Sequence, residues 1–194
     1  MSETFKQGAK PALFFSTSAF AVSFAVWGLV AALAPTFTEL YHLSATSKSL
    51  LIAIPVLLGS IGRLFSGMLA DRFGGRNVFS ALLFLGLLIG VAGTTFPVGV
   101  GFTSKWFAQE KQGTALGVYG MGNIGQSIAV FFAPVLALQF GSWRTVFFVF
   151  AAVTFIWGIV FYFFAKDAEV TVQPKTLSEN LSVLKRSKIA WILS

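Results

Sequence analysis

Five long apolar segments, separated by short polar stretches, limit how this chain can fold more than any other feature. Each is about as long as the roughly 20 residues that a helix needs to cross the apolar part of a bilayer. Backbone polar groups in lipid must form hydrogen bonds within their own segment, so the segments are predicted to be membrane-spanning helices. Their approximate bounds are 13–36, 50–70, 78–102, 114–138 and 146–164.

The composition agrees with a membrane protein. Only 11% of the 194 residues are charged and the mean hydropathy is +0.80, whereas a soluble domain has about 25% charged residues. The predicted fold is an all-α transmembrane helical bundle over residues 1–165. Residues 166–188 are polar and basic with leucines at helical spacing, which predicts a cytoplasmic linker containing an amphipathic helix. Residues 189–194 become apolar again and are interpreted as the start of a truncated further span.

The basic residues conflict with five simple crossings. Cytoplasmic loops carry the excess of Lys and Arg in membrane proteins. If 78–102 crossed twice, eleven basic residues would lie inside and two outside; a single crossing gives five inside and eight outside. Twenty-five residues are too short for two full spans. The sequence therefore predicts either that chain is missing from this segment or that the protein departs from the rule. The N-terminus is expected in the cytoplasm and the chain in the cell membrane.

One arginine, Arg63, lies inside the second apolar segment. At about 1.5 Å of rise per helical residue, it is about 12 Å from Asp71, in the polar turn that ends this segment. A guanidinium stays charged at that depth and must face protein or a wet cavity, where it meets anions or carbonyls. The pattern predicts an anion as the ligand of Arg63. The alternative is an arginine that extends to the membrane surface or joins two helices.

A glycine-rich stretch opens the fourth apolar segment and contains Gly120, Gly122, Asn123 and Gly125. Its G-x-G-x-x-G spacing is that of a dinucleotide-binding loop, but no strand precedes it and no acidic residue follows about 20 positions later. Helix packing explains most of the glycines, because small residues let membrane helices approach closely. Asn123 is left with two interpretations, an anion contact or a hydrogen bond to a neighbouring helix.

The sequence offers little for catalysis. Its seven acidic residues lie in tails and loops, it has no cysteine, and its one histidine, His42, lies between apolar segments. Without a carboxylate pair, a His/Cys cluster or a P-loop, neither an enzyme activity nor a cofactor or metal is predicted. The net charge of +7 comes from residues between apolar segments, so it indicates orientation in a lipid bilayer and not nucleic-acid binding.

Two motifs together resemble the nitrate/nitrite porter family of the major facilitator superfamily. The turn after the second segment is similar to the superfamily's loop between helices two and three, and Arg63 in a G-S-x-x-R pattern with the glycine-rich run narrows the resemblance to the porters. The similarity covers essentially the whole chain. The residues that match the gating loop are Gly67, Asp71, Arg72, Gly75 and Arg76.

This resemblance implies half of a twelve-helix transporter that works by alternating access between two six-helix halves. It implies that Arg63 binds nitrate or nitrite and that Phe96 stacks on the planar anion. Exchange of nitrate with nitrite and transport with protons both stay open, and no cofactor is implied. The glycine-rich signature of the substrate site is expected at Gly120, Gly122, Asn123 and Gly125.

The chain departs from the family pattern in two places. Separate third and fourth helices are expected, but here one segment fused near residues 85–86 takes their place, as though a hairpin had been lost. The second half, with its own substrate arginine, lies outside this sequence, so a second six-helix half is expected to complete the site. The alternative function is a non-transporting membrane assembly protein whose glycines mediate helix packing.

Overall fold

The computed structural model describes residues 8–85 and 92–168, which form helices joined by short turns. No strand occurs within these ranges, and the all-α fold is confirmed. The predicted linker, apart from its first residues 166–168, and the predicted truncated span lie outside the described residues. The helices are α1 (Ala9–Ala32), α2 (Ala34–Tyr41), α3 (Ala45–Phe73), α4 (Gly75–Phe84), α5 (Thr95–Ser104), α6 (Gln109–Gly120), α7 (Ile124–Phe140) and α8 (Trp143–Phe164).

Four described stretches are long and apolar enough to cross a membrane. They overlap four of the five predicted segments, and in two of them a pair of helices is joined by a short break. The stretches are Ala9–Tyr41, Ala45–Phe73, Gln109–Phe140 and Trp143–Phe164. Large apolar side chains stand exposed on the outer faces of α3, α7 and α8, which suits contact with lipid. Examples are Leu57, Leu64, Phe131, Leu138 and Phe148.

The segment predicted over 78–102 contains two short helices, α4 and α5, of ten residues each. They run in opposite directions, because a Cβ on Gly75 at the start of α4 would lie 2.9 Å from Cδ2 of Phe102 near the end of α5. Each helix is about 15 Å long, roughly half the apolar thickness of a bilayer. The described parts of the segment are therefore two antiparallel half-length helices, which we call the half-length hairpin, and their outer ends lie at one end of the bundle.

Contacts between residues far apart in the sequence place the start of α4 and the end of α5 beside the ends of other helices. Lys105, after α5, forms an ion pair of 3.2 Å with Asp71 near the end of α3. The backbone N–H of Arg76, at the start of α4, donates a 2.9 Å hydrogen bond to Oδ1 of Asp167, which follows α8. The ends of α3, α5 and α8 thus lie together.

The beginning of α1 lies at the same end, since a Cβ on Gly8 would be 3.1 Å from the Trp106 ring. At the opposite end, α2 and the turn between α7 and α8 line a groove of about 620 Å³ that includes Arg144. Most basic side chains of the described ranges lie at the first end, which we call the basic end; only Lys48 and Arg144 lie towards the other. The basic end contains Lys10, Arg72, Arg76, Lys105, Lys111 and Lys166.

Helix α1 is the centre of the bundle and packs against α5, α6, α7 and α8. Two clusters of buried apolar residues lie along it. The cluster towards the basic end joins Phe20 to Phe79, Tyr119 and Phe161. The other cluster joins Leu29, Leu33 and Phe37 to Ala133 and Val146. The faces of α3, in contrast, are mostly exposed, so most of the burial in the described fold comes from α1.

Candidate functional site

Arg63 lies about two-thirds of the way along α3, beside the residues that lead into α5. Its Nε donates a 3.1 Å hydrogen bond to the carbonyl of Gly93, and the side chain is half-buried. One turn further, the Ser66 hydroxyl donates to the carbonyl of Thr94 at 2.8 Å. The predicted position of Arg63 inside a membrane-length helix is therefore observed, and its first partner is backbone of the hairpin.

The described residues supply no counter-ion for Arg63. Asp71, two turns away on the same helix, pairs with Lys105 instead, and this is the ion pair that the described ranges contain. The Nη groups of Arg63 make no hydrogen bond to another described residue. Because Nε is already used, the guanidinium keeps the edge formed by its two Nη groups for another acceptor.

Phe96 lies in the first turn of α5, three residues after the carbonyl that Arg63 binds. Its ring centroid is 5.5 Å from that of Phe20 and 6.0 Å from that of Tyr119, and 40% of the residue is exposed. The Tyr119 hydroxyl donates to the Phe96 carbonyl at 3.2 Å. Phe96 is thus held from the backbone and from its neighbouring rings, while part of the side chain stays open.

The glycines of the predicted signature face different ways. Gly122 and Gly125 are buried against α1: a Cβ on Gly122 would lie 2.7 Å from the carbonyl oxygen of Thr17, and one on Gly125 would overlap the carbonyl of Ala21. A Cβ on Gly120, in contrast, would meet nothing within 4 Å in the described structure. Close contact with α1 therefore requires glycine at positions 122 and 125, which agrees with helix packing as the reason for these glycines.

Asn123 is exposed at the end of a short 3₁₀ turn, Met121–Asn123, between α6 and α7. With Gln126 and Ser127 it lines an open groove of about 440 Å³. No described hydrogen bond or ring contact joins Asn123 directly to Arg63 or Phe96. The structure connects them through α1, since Phe20 contacts both the Phe96 ring and the position of Gly122.

The predicted gating residues form a small network at the basic end. Gly67 faces Pro97 of α5 at 3.8 Å from the position of a Cβ, and Asp71 pairs with Lys105. The Arg72 and Arg76 guanidinium carbons lie 5.4 Å from the ring centroids of Phe73 and Tyr162, respectively. Gly75 packs on Phe102. The turn between α3 and α4 is thereby fixed to α5 and α8.

Sequence reasoning missed three residues of this arrangement. Lys105 served only as a topology marker, and Asp167 was counted among residues of tails and loops, although it accepts a hydrogen bond at the start of α4. Trp27 of α1, whose indole lies against Gly93, was not singled out. No local motif marks these residues, because each acts through a partner far away along the chain.

The fold and the site define a class of membrane protein, and comparison with known families agrees. Residues 76–194 match the family described as the Major Facilitator Superfamily. This chain belongs to that superfamily and, with its four membrane-length helices, is a multi-pass membrane protein.

Similar curated proteins narrow the class further. The probable nitrate/nitrite antiporter NarK1 of Thermus thermophilus is 34% identical over 182 residues, covering 78% of this chain and 41% of that protein. The probable nitrate/nitrite transporter NarK2 of Mycobacterium tuberculosis (strain CDC 1551 / Oshkosh) is 35% identical over 147 residues, covering 64% and 37%. The nitrite extrusion protein of Bacillus subtilis (strain 168) is 31% identical over 191 residues, covering 88% and 48%. The resemblance to the nitrate/nitrite porters is confirmed, and the chain spans less than half the length of these relatives.

Each match extends over more aligned positions than this chain contributes residues to it. The match with NarK1 extends over 182 residues, whereas 78% of 194 residues is about 151. The match with the nitrite extrusion protein extends over 191 residues, whereas 88% of the chain is about 171. About 20 to 30 aligned positions therefore have no counterpart in this chain.

Proposed function

We propose that this chain forms one half of a nitrate/nitrite transporter in which Arg63 binds the anion midway across the membrane. The observation that carries the proposal is the unpaired charge of Arg63: it lies ten residues from the end of the membrane-length helix α3 and has no counter-ion among the described residues. An intramembrane cation is costly unless an anion or oriented carbonyls compensate it. A single small anion, held transiently, would provide that charge.

The shape of the site favours a planar oxyanion. The hydrogen bond to Gly93 fixes the plane of the guanidinium and leaves its Nη edge free to bind two oxygens of the same anion. Phe96, three residues after Gly93 and partly exposed, has an accessible flat face, which the proposal assigns to stacking on the anion. Asn123 and Gln126 line a separate open groove that includes neither Arg63 nor Phe96, so a part for their amides in anion binding is proposed from the resemblance alone.

A complete transporter needs a second half, and alternating access between two halves is part of the proposal. Such a half would meet this one at the open groove at Asn123 and cover part of the exposed apolar surface of α3, the rest of which would face lipid. The relatives have about 20 to 30 aligned residues that this chain lacks. We propose that these residues are missing from the hairpin, because α4 and α5 are each half as long as a membrane span. The basic end would then face the cytoplasm, with the N-terminus, by the distribution of Lys and Arg.

The test is nitrate binding to the purified full chain, measured by titration calorimetry in detergent. Arg63→Lys should weaken binding by at least about tenfold, because a point charge loses the planar two-oxygen contact. Arg144→Gln, which removes an arginine at the opposite end from the basic end, should bind as the unaltered chain does. Unchanged affinity in the Arg63→Lys protein, or no binding by the unaltered chain, would contradict the proposal.

One observation favours a second candidate, membrane assembly. A Cβ on Gly113, Gly117 or Gly120 would meet nothing within 4 Å, and their spacing puts these glycines on one open face of α6. Such a face suits close contact with another helix. In this case Gly117→Leu should abolish co-purification of two differently tagged copies, while Arg63→Lys leaves it unchanged. The converse result would favour the transporter.

A further inference from the structure

The indole of Trp27 is held inside the bundle with its hydrogen-bond donor unused. The Nε1 atom is buried and has no acceptor among the described residues. The ring contacts Phe24, with centroids 5.0 Å apart, so its position is fixed by packing. A buried N–H without an acceptor is unfavourable, and native structures normally provide a partner from protein, water or ligand.

Trp27 and Arg63 lie on two sides of one glycine. A Cβ on Gly93 would be 2.7 Å from Trp27 Nε1, and the Gly93 carbonyl oxygen is 3.1 Å from Arg63 Nε. With the dimensions of a single residue between them, Nε1 and Nε are at most about 9 Å apart. Because the Gly93 carbonyl already occupies Nε, a small oxyanion would bridge Trp27 Nε1 and the free Nη edge of the same guanidinium, with hydrogen bonds of about 2.8 Å to each.

Gly93 also lets the Trp27 indole approach the hairpin backbone closely. Any side chain at this position would press on the indole nitrogen, whereas glycine avoids that clash. The site would then be bounded by a donor from α1, a cation from α3 and the backbone of the hairpin. An apolar side chain in place of Trp27 would fill this part of α1 without burying an unpaired N–H group.

We infer that Trp27 is a further substrate-binding residue, whose Nε1–H donates to an oxygen of the nitrate or nitrite that Arg63 binds. This inference rests on the proposed function and assigns to the same site a donor from α1. The anion would then be recognised by a neutral hydrogen-bond donor, Trp27, together with a positive charge, Arg63. Small planar oxyanions offer a separate oxygen to each group, whereas chloride is a single acceptor atom.

The experiment is a nitrate titration followed by the indole ¹H–¹⁵N signals of the full chain, labelled at tryptophan and purified in detergent. The chain has five tryptophans, and Trp157 provides a matched control because its Nε1 is also buried without a described partner. Trp27→Phe and Trp157→Phe assign the two signals by their loss. The Trp27 signal should move with nitrate concentration and not with chloride, while that of Trp157 stays in place.

Affinity gives a second readout. Trp27→Phe keeps an aromatic ring, smaller than the indole, and removes the donor, so nitrate affinity should fall by about tenfold, whereas Trp157→Phe should leave it unchanged. The inference is overturned if the unaltered chain binds nitrate through Arg63 while the Trp27 signal stays fixed and Trp27→Phe binds normally. If the unaltered chain binds no nitrate at all, the proposed function fails, and this inference fails with it. The signal shifts are measured on the unaltered chain, so they decide the matter even if Trp27→Phe folds poorly.

Discussion

Asp71 and Lys105 form an ion pair of 3.2 Å although 34 positions separate them along the chain. Between them lie the end of α3 and the whole hairpin of α4 and α5. The pair therefore brings the start and the finish of the hairpin to one face of the bundle. This geometry accounts for the distribution of basic residues. Segment 78–102 is too short for two full spans, and a single crossing would put most Lys and Arg residues outside, but a segment whose two ends lie at the same side of the bundle satisfies both constraints.

The Asp71–Lys105 pair itself should contribute little to stability. Its side chains are 59% and 35% exposed, and exposed ion pairs contribute about 0.2–1 kcal/mol. Asp71→Asn and Lys105→Gln, combined in a double-mutant cycle of denaturant unfolding, should show a coupling energy within that range. A coupling energy of several kcal/mol would mean that the pair is shielded from solvent more than its exposure indicates.

Gly125 should be among the least replaceable residues of the bundle. A Cβ there would overlap the Ala21 carbonyl of α1, so Gly125→Ala must push α7 away from its main partner, at a cost of several kcal/mol. Thermal unfolding in detergent should show a large fall in midpoint. Gly117→Ala is the matched control, because its Cβ would enter open space. Equal midpoints for the two variants would refute the close contact of α1 and α7.

Asp167 should stabilise the hairpin from outside it. Its Oδ1 accepts the backbone N–H of Arg76 in the first turn of α4, and loss of such a cap costs about 0.5–2 kcal/mol. Asp167→Ala should therefore increase amide hydrogen exchange over the first turn of α4 more than elsewhere. Glu39→Ala, which alters an exposed carboxylate at the other end of the bundle, should not. Equal exchange in both variants would show that Asp167 does not cap α4.

Tyr119 should position Phe96 for the anion. Its hydroxyl donates to the Phe96 carbonyl at 3.2 Å and is buried; loss of a bond of this kind costs about 0.5–1.5 kcal/mol. Tyr119→Phe should lower unfolding stability by that amount and weaken nitrate binding severalfold. Tyr162→Phe, which alters an exposed tyrosine under Arg76, should leave nitrate binding unchanged. If both variants bind nitrate equally, Tyr119 has no part in forming the site.

The sequence predicts the large features of this fold because they depend on local composition. Apolar length gives the membrane-length helices, and an arginine within such a run must lie deep and near a polar group. Arg63 indeed occupies that position, with the Gly93 carbonyl as its partner. The close spacing of Gly122 and Gly125 also indicates helix contact, because small residues at such intervals let two helices approach closely.

The remaining features depend on pairings that composition does not reveal. Segment 78–102 is apolar throughout, and hydropathy gives the length of such a run but not whether the chain turns back within it. Asp167 lies 91 positions from Arg76, so nothing in its neighbourhood marks it as a cap. Trp27 is one of five tryptophans, and only its contact with Gly93 separates it from the others. The roles of Arg63, Phe96 and Asn123 in anion binding remain predictions.

The side of the membrane on which residue 105 lies is the most direct test of the half-length hairpin. The chain has no cysteine, so Lys105→Cys, Arg76→Cys and Arg144→Cys each provide a single site for a membrane-impermeant thiol reagent. In intact cells, positions 76 and 105 should both be protected and react only after permeabilisation, while position 144 should react at once. Reaction of position 105 in intact cells, with 76 still protected, would show that 78–102 crosses the membrane once. The hairpin, and the anion site built on it, would then be wrong.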